Sequence, residues 1–241
     1  MNQQLQRIQE KLAQLKVLDA KNQLFGAQRH QYQLNPPLSM DAIRQFEAQY
    51  HVILPLEYVS FLTELGNGGA GPFYGLEPFE RVLFVDLDYP NSTNLLAPNL
   101  PFPHHQAWNE VFVSTCDEEE DEAEYERQYF EFHRHQMDGV LAISNFGCGV
   151  SINLVVNGTE YGYIWTDDRG NDGGIYPSHE LENLEKVTFL DWYELWLDNS
   201  LQEIAEKLDR QQPIENTTSS VHSQSALSNQ DVKNKHWWKF W

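Results

Sequence analysis

The stretch LPLEYVSFLTELGNGGAGPFYGL, residues 54–76, decides the fold. It predicts a helix that begins at Pro55, because proline lacks the N–H that a first turn leaves unpaired and its fixed φ suits that position. Apolar residues then recur at helical spacing along one face, which must be covered: Leu54, Tyr58, Phe61, Leu62 and Leu65. We expect Gly66 to end this helix with a positive φ.

The bend after this helix, residues 66–71, reads GNGGAG and satisfies the G-x-G-x-x-G pattern of dinucleotide-binding proteins. That pattern holds a pyrophosphate only after a strand and at the start of a helix, where free N–H groups and the positive end of the helix dipole meet. Here the bend follows the end of a helix, whose carbonyl groups repel phosphate. We therefore expect a structural turn and no cofactor. The turn is made by Gly66, Asn67, Gly68, Gly69 and Gly71 and leads into Phe73, Tyr74, Gly75 and Leu76.

Two further parts of the chain support a family resemblance. Residues 30–76, which contain this stretch, resemble the N-terminal half of bacterial SMI1/KNR4-like proteins of the SUKH superfamily. Residues 139–177 and 189–198 resemble the second half, including an Asp/Arg-rich turn after a tryptophan. The resemblance covers most of residues 25–200 and implies structural roles for the matching residues: Pro55, Gly66, Asn67, Gly68, Gly69, Gly71, Tyr74, Gly75, Trp165, Asp167, Asp168, Arg169, Trp192 and Trp196.

The length of 241 residues suits one large domain with appendages, and 41% hydrophobic residues suffice for a substantial core. We divide the chain into an amphipathic helix (1–24), a domain (25–210) and a tail (211–241). Cys116 and Cys148 follow no metal-binding spacing, so we expect buried free thiols in a reducing compartment, although one disulfide stays an alternative. The polar N-terminus and the absence of a long apolar run predict a cytoplasmic protein without a membrane span.

The chain is strongly acidic. It contains 16 Lys and Arg residues and 36 Asp and Glu residues, which give a net charge of −20. Residues 1–210 alone carry 13 basic and 34 acidic side chains, a net charge of −21. Such a surface repels nucleic acid and anionic membranes and speeds association with cationic partners. Solubility also favours acidity, so charge supports a basic partner without proving one.

The acidic run, residues 117–126, reads DEEEDEAEYE and holds eight carboxylates in ten positions. One interpretation is a solvated loop and the start of a helix that continues to His135. The other is a mimic of phosphate charge that occupies the basic cleft of a protein partner such as a nuclease. A cation site is weaker, because the run lacks glycine and alternating oxygen ligands. The candidate partner-binding residues are Asp117, Glu118, Glu119, Glu120, Asp121, Glu122 and Glu124.

Short apolar runs at residues 82–85 and 111–113 suggest strands. Residues 151–156 and 159–165 flank Asn157-Gly158, the preferred pair for a type I′ turn, and predict a β-hairpin. Together these runs indicate a largely antiparallel sheet from about residue 81 to residue 165. In the polar turn after it, we expect Arg169 to brace the carboxylates around it rather than perform chemistry. His104 and His105 lack further metal ligands and are expected to lie on the surface.

The ends of the chain carry two amphipathic helices and a polar tail. In residues 3–18, Leu5, Ile8, Leu12 and Leu15 form one apolar face, which docks on its own domain or on another protein. Residues 188–191 (TFLD) resemble a capping box that opens a long C-terminal helix. Residues 213–234 are polar and should be disordered. The aromatic motif KHWWKFW, residues 235–241, would fold back on the domain, bind a partner or, less readily, contact a membrane.

These patterns predict an α+β protein with N-terminal helices, an antiparallel sheet and a closing C-terminal helix. No catalytic motif is present, so we expect a monomeric binding protein without metal or cofactor and without nucleic-acid contact. The resemblance implies an immunity protein that neutralises a basic cognate toxin domain such as a nuclease. The alternatives are a regulatory adaptor, for which the same family is known, and a small-ligand or hydrolytic domain.

Overall fold

The structure, a computed structural model, describes residues 3–211 and has the expected α+β architecture. The helices within this range are α1 (Gln3–Leu18), α2 (Ala27–His30), α3 (Met40–Tyr50), α4 (Leu56–Glu64), α5 (Glu122–His133) and α6 (Phe189–Gln211). The strands are β1 (Val140–Gly147), β2 (Val150–Val155), β3 (Ile164–Asp168) and β4 (Gly174–Pro177), and a 3-10 helix, Arg169–Asn171, joins the last two. The tail from residue 212, with its expected disorder and its aromatic motif, lies outside the described residues.

The four strands form one antiparallel sheet in the order β1-β2-β3-β4. Successive side chains of a strand point to opposite faces of the sheet, so the sheet contributes side chains to two hydrophobic cores. Ile152 and Ile164 belong to the main core under the helices. Val155 and Trp165 belong to a smaller core on the other face, beneath the loops that precede α5. The sheet is therefore covered on both sides.

The helix α1 docks on its own chain. Its four predicted apolar residues are all buried, and its neighbour is α6. At the edge of this contact, Arg7 and Lys11 both reach the carboxylate of Glu194, at 2.8 and 2.9 Å. Lys11 also lies 2.6 Å from Asp198. The alternative in which this face binds another protein is not observed, because the face is part of the main core.

The predicted strands at residues 82–85 and 111–113 are wrong. The first run begins in a turn, in which the N–H of Phe84 donates to the carbonyl of Arg81, at 3.0 Å. Val82 is nevertheless fully buried and accepts a hydrogen bond from Ala142 of β1. A short apolar run reports burial and not backbone geometry, which explains the error. The sheet consequently begins at residue 140 and extends to residue 177, beyond the predicted end.

The predicted hairpin exists, but its turn differs from the expectation. The strands β2 and β3 pair up to Leu154 and Ile164, and residues 156–163 form a long connection in place of a two-residue turn. Gly158 has the expected positive φ of 110°, but Asn157 does not have a positive φ. Asn157 instead donates to the carbonyls of Gly139 and Asn99, and its own carbonyl accepts from Phe102. These tertiary hydrogen bonds override the local turn preference.

Two helix ends also differ from the prediction. The helix α4 ends at Glu64, and Gly66 does not have a positive φ; a Cβ at Gly66 would instead lie 2.6 Å from the carbonyl oxygen of Asn35. At the start of α6 the capping box does not form, since the Thr188 hydroxyl is buried without a partner. The N–H of Leu190 donates to the Glu57 carboxylate of α4, at 3.1 Å. A neighbouring helix therefore caps α6.

The two cysteines are free thiols, as predicted, but neither is buried. Cys148 is exposed in the turn between β1 and β2, where its φ is 54°. Cys116 is half-buried beside the acidic run, and its sulfur contacts Ser114 and Gln128. The apolar neighbours of both residues in the sequence suggested burial, but neither cysteine lies in the interior of a strand.

Candidate functional site

The glycine-rich bend is held by backbone hydrogen bonds that occupy its N–H groups. Gly69 and Leu76 exchange two hydrogen bonds, at 2.9 and 2.8 Å, and Ala70 donates to the carbonyl of Gln33, at 2.7 Å. The Asn67 side chain accepts from the N–H of Phe79, at 2.7 Å. Since these donors are already used inside the chain, they are not directed at a phosphate. The bend is a structural turn, as its position after a helix indicates.

Gly69 shows why the bend needs glycine. Its φ is 101°, and a Cβ there would lie 2.4 Å from the carbonyl oxygen of Gln33. Both the backbone conformation and the lack of space exclude a side chain. From the C-terminal helix, the buried hydroxyl of Tyr193 donates to the carbonyl of Ala70, at 2.8 Å. The bend is thus fixed between the segment before α3 and the face of α6.

Arg169 braces a carboxylate, as expected, and also reaches a helix end. Its guanidinium makes two hydrogen bonds to the Asp167 carboxylate, at 2.8 and 2.7 Å. The remaining nitrogen donates to the main-chain carbonyl of His133, at 3.1 Å, in the last turn of α5. A cation at this position also suits the negative end of the helix dipole. Arg169 therefore ties α5, which starts in the acidic run, to the sheet. The neighbouring Asp168 carboxylate accepts from the Asn171 side chain, at 2.8 Å.

The tryptophans of the family motifs lie in the core. Trp165 and Trp192 are fully buried, and Trp196 is nearly so, with its ring edge-on to His30 at 5.8 Å between centroids. Burial lowers the pKa of His30 to about 4. Tyr74 is part of a separate, partly exposed group, in which the Arg29 guanidinium lies 5.6 Å from its ring centre. The packing of these rings stabilises the domain and leaves them little room to hold a ligand.

The acidic run lies on the surface. Asp117, Glu118, Glu119, Glu120, Asp121 and Glu122 are all exposed. Asp121 caps α5 by accepting from the N–H of Glu124, at 3.2 Å. Glu124 is half-buried and takes two hydrogen bonds from Arg127 and one from Gln128, which lower its pKa to about 2. Among the described residues, no cation pairs with Glu118, Glu119, Glu120 or Glu122. Their charge is therefore available to a partner.

Exposed apolar side chains lie on α5 and on the loop that packs against it. Phe112 packs its ring against Tyr125, Tyr129 and Phe132 of α5 and so fixes the preceding loop to that helix. Its neighbours Val111 and Val113 are 82% and 80% exposed. Tyr129 and Phe130 of α5 are 50% and 56% exposed. We call the acidic run together with Val111, Val113, Tyr129 and Phe130 the insert surface.

Sequence reasoning missed the apolar part of the insert surface. The short apolar run Val111-Phe112-Val113 suggests a strand, whereas its two valines have nothing to cover them in residues 3–211. The signal was the charge on both sides of the run, since a strand buried in a sheet is seldom so close to eight carboxylates. The same reasoning placed His104 on the surface. His104 is instead buried beside Trp108 and Trp165, and burial lowers its pKa; His105 is exposed.

The described residues contain no convergent metal site, and the cavity beside the glycine-rich bend is small. No three His, Cys, Asp or Glu side chains in residues 3–211 come together as metal ligands, even within the acidic run. A cavity of about 180 Å³ lies between the glycine-rich bend and α2, and its lining includes Arg29, Tyr74 and Glu77. Glu77 is already paired with Arg81, at 2.7 Å. Pockets for small ligands usually measure about 300–1,000 Å³.

Comparison with known proteins assigns the family. The model of the SMI1 / KNR4 family (SUKH-1) matches residues 37–194, which is more than half of the chain. The protein therefore belongs to the SMI1/KNR4 family, as the two halves of the sequence suggested. No curated protein and no solved structure matches. Within residues 3–211, no helix has both the length and the apolar character needed to cross a bilayer.

Proposed function

We propose that this protein is a non-catalytic immunity protein that binds a basic cognate toxin in the cytoplasm of the bacterium that produces it. Family membership supports a role of this kind. The observation that carries the proposal is the insert surface, where four exposed carboxylates without a cation lie beside four exposed apolar side chains. Charge of one sign steers an oppositely charged partner, and apolar side chains then contribute the contact area of a stable complex.

The proposed mechanism is occlusion. The carboxylates of the acidic run occupy the place of phosphate groups in the basic cleft of a toxin such as a nuclease, and the rigid α5 fills the path of its substrate. The brace from Arg169 to the last turn of α5 keeps the helix in place, so that little freedom is lost on binding. This arrangement needs neither a metal nor a bound cofactor.

The test is co-expression. The reading frame immediately upstream of this gene is expressed in a sensitive bacterial host, with and without this protein, and surviving colonies are counted. The proposal predicts killing by the upstream protein, rescue by this one, and a complex that purifies as one species. Killing without rescue would contradict the proposal, and so would an upstream protein without toxicity. Either result would favour the alternative function of a regulatory adaptor. A pull-down from the native lysate would then identify the host proteins that bind to this chain.

A further inference from the structure

The loop before α5 presents a free backbone edge on the insert surface. Trp108 pairs with Ile175 at the edge strand β4 through two hydrogen bonds of 2.7 Å. Beyond this bridge, residues 110–113 make no backbone hydrogen bond to any residue in the range 3–211. Phe112 is anchored on α5, and Val111 and Val113 on either side of it are exposed. A surface segment with unpaired N–H and C=O groups can accept an added strand.

The sequence contains a segment that matches this surface in chemistry. Residues 235–241, KHWWKFW, contain Lys235 and Lys239, four aromatic side chains and no Asp or Glu. The remainder of the chain up to residue 210 carries a net charge of −21. A segment that combines aromatic and basic side chains can contact apolar and acidic groups together, and aromatic residues favour strand pairing.

The chain between α6 and residues 235–241 is long enough for this segment to reach the insert surface. Residues 212–234 separate the end of α6 from this segment, and 23 residues span up to about 75 Å when extended. A folded domain of about 200 residues has a radius of gyration of about 16 Å. The segment thus reaches every face of its own domain, and the tether gives it an effective concentration that a separate peptide lacks.

We propose that residues 235–241 dock on the insert surface of the same chain and pair with the free edge at residues 110–113. The lysines face the acidic run, and the aromatic rings cover Val111, Val113 and Tyr129. If the proposed function holds, a toxin must displace this segment before it binds, so the segment acts as an intramolecular competitor. The docking itself does not depend on that function.

Hydrogen exchange of the full chain tests the proposal without a partner. Unpaired, exposed amides exchange quickly, whereas docking would slow the amides of residues 110–113 by about tenfold or more. The full chain is compared with a variant that carries Trp237→Ser, Trp238→Ser and Trp241→Ser. The variant keeps every residue from 3 to 211, so its helices and sheet should be retained, and the loss of docking should lower its unfolding midpoint only slightly. The proposal predicts fast exchange at residues 110–113 in the variant alone.

A second variant and a peptide complete the test. Val111→Ser with Val113→Ser should release the segment, whereas Leu184→Ser, at a side chain that is 99% exposed, should not. Added peptide KHWWKFW should restore slow exchange to the triple serine variant. Equal exchange rates in the parent chain and the triple variant would overturn the proposal. Protection that increases with protein concentration would also overturn it, because it would identify a second copy as the occupant.

Discussion

The contact between α6 and the glycine-rich bend predicts the effect of removing one hydroxyl. Tyr193 is fully buried, and its hydroxyl donates to the carbonyl of Ala70, which is also fully buried. In Tyr193→Phe that carbonyl loses its donor. A buried polar group left without a partner costs about 1–3 kcal/mol. We therefore expect the free energy of unfolding to fall by about 2 kcal/mol.

Urea unfolding measures this change. With an m-value of about 2–3 kcal/mol/M, the midpoint should fall by about 0.7–1 M at an unchanged slope. The control is Tyr89→Phe, which removes a hydroxyl from a side chain that is 81% exposed. Its effect should stay within about 0.5 kcal/mol, as for other surface substitutions. A Tyr193→Phe midpoint equal to that of the control would refute the claim that α6 fixes the bend.

Three further predictions concern backbone space, charge and thiol access. Gly69→Ala should prevent folding or lower the free energy of unfolding by more than 3 kcal/mol, whereas Gly162→Ala, with a φ of 88° and no heavy atom within 4 Å of the new Cβ, should cost about 1 kcal/mol. Hydrogen bonds from basic side chains of α1 lower the pKa of Glu194 to about 2, so its stabilising effect is present above the ordinary pKa and is lost as the pH falls toward 2. Glu194→Gln should therefore destabilise the protein by about 1 kcal/mol at pH 7 in urea unfolding and by less at pH 3, and an equal loss at both would contradict the ion-pair account. A thiol reagent should modify the exposed Cys148 faster than the half-buried Cys116, and the reverse order, found by mass spectrometry, would contradict the placement of the two residues.

Elements with a long apolar stripe could be predicted from the sequence. The stripe of α1 and the proline before α4 located both helices within one or two residues. The acidic run indicated the start of α5, because carboxylates favour the first turn of a helix. In each of these helices the signal lies within a few residues of the element, so no tertiary information was needed.

Features that depend on distant contacts could not be predicted in this way. The cap of α6 is Glu57, 133 residues away in the sequence, and the connection between β2 and β3 is set by hydrogen bonds from Asn157 to other loops. His104 is buried because Trp108 and Trp165 meet around it. The acidic half of the insert surface was visible in the sequence, but its apolar half was not. The short apolar run at residues 111–113 has the same appearance in a buried strand and in an exposed loop.

The most direct test of the account is the rate at which the upstream toxin associates with this protein. Glu118→Gln, Glu119→Gln, Glu120→Gln and Glu122→Gln are combined in one variant, and Asp121 is kept because it caps α5. The control variant neutralises four exposed carboxylates outside the insert surface: Glu10, Asp41, Glu185 and Asp209. Stopped-flow measurements at low and high salt should show an association rate about tenfold lower for the first variant, with a weaker salt dependence, and a much smaller change for the control. Equal rates and equal salt dependence for the two variants would contradict binding through the acidic run.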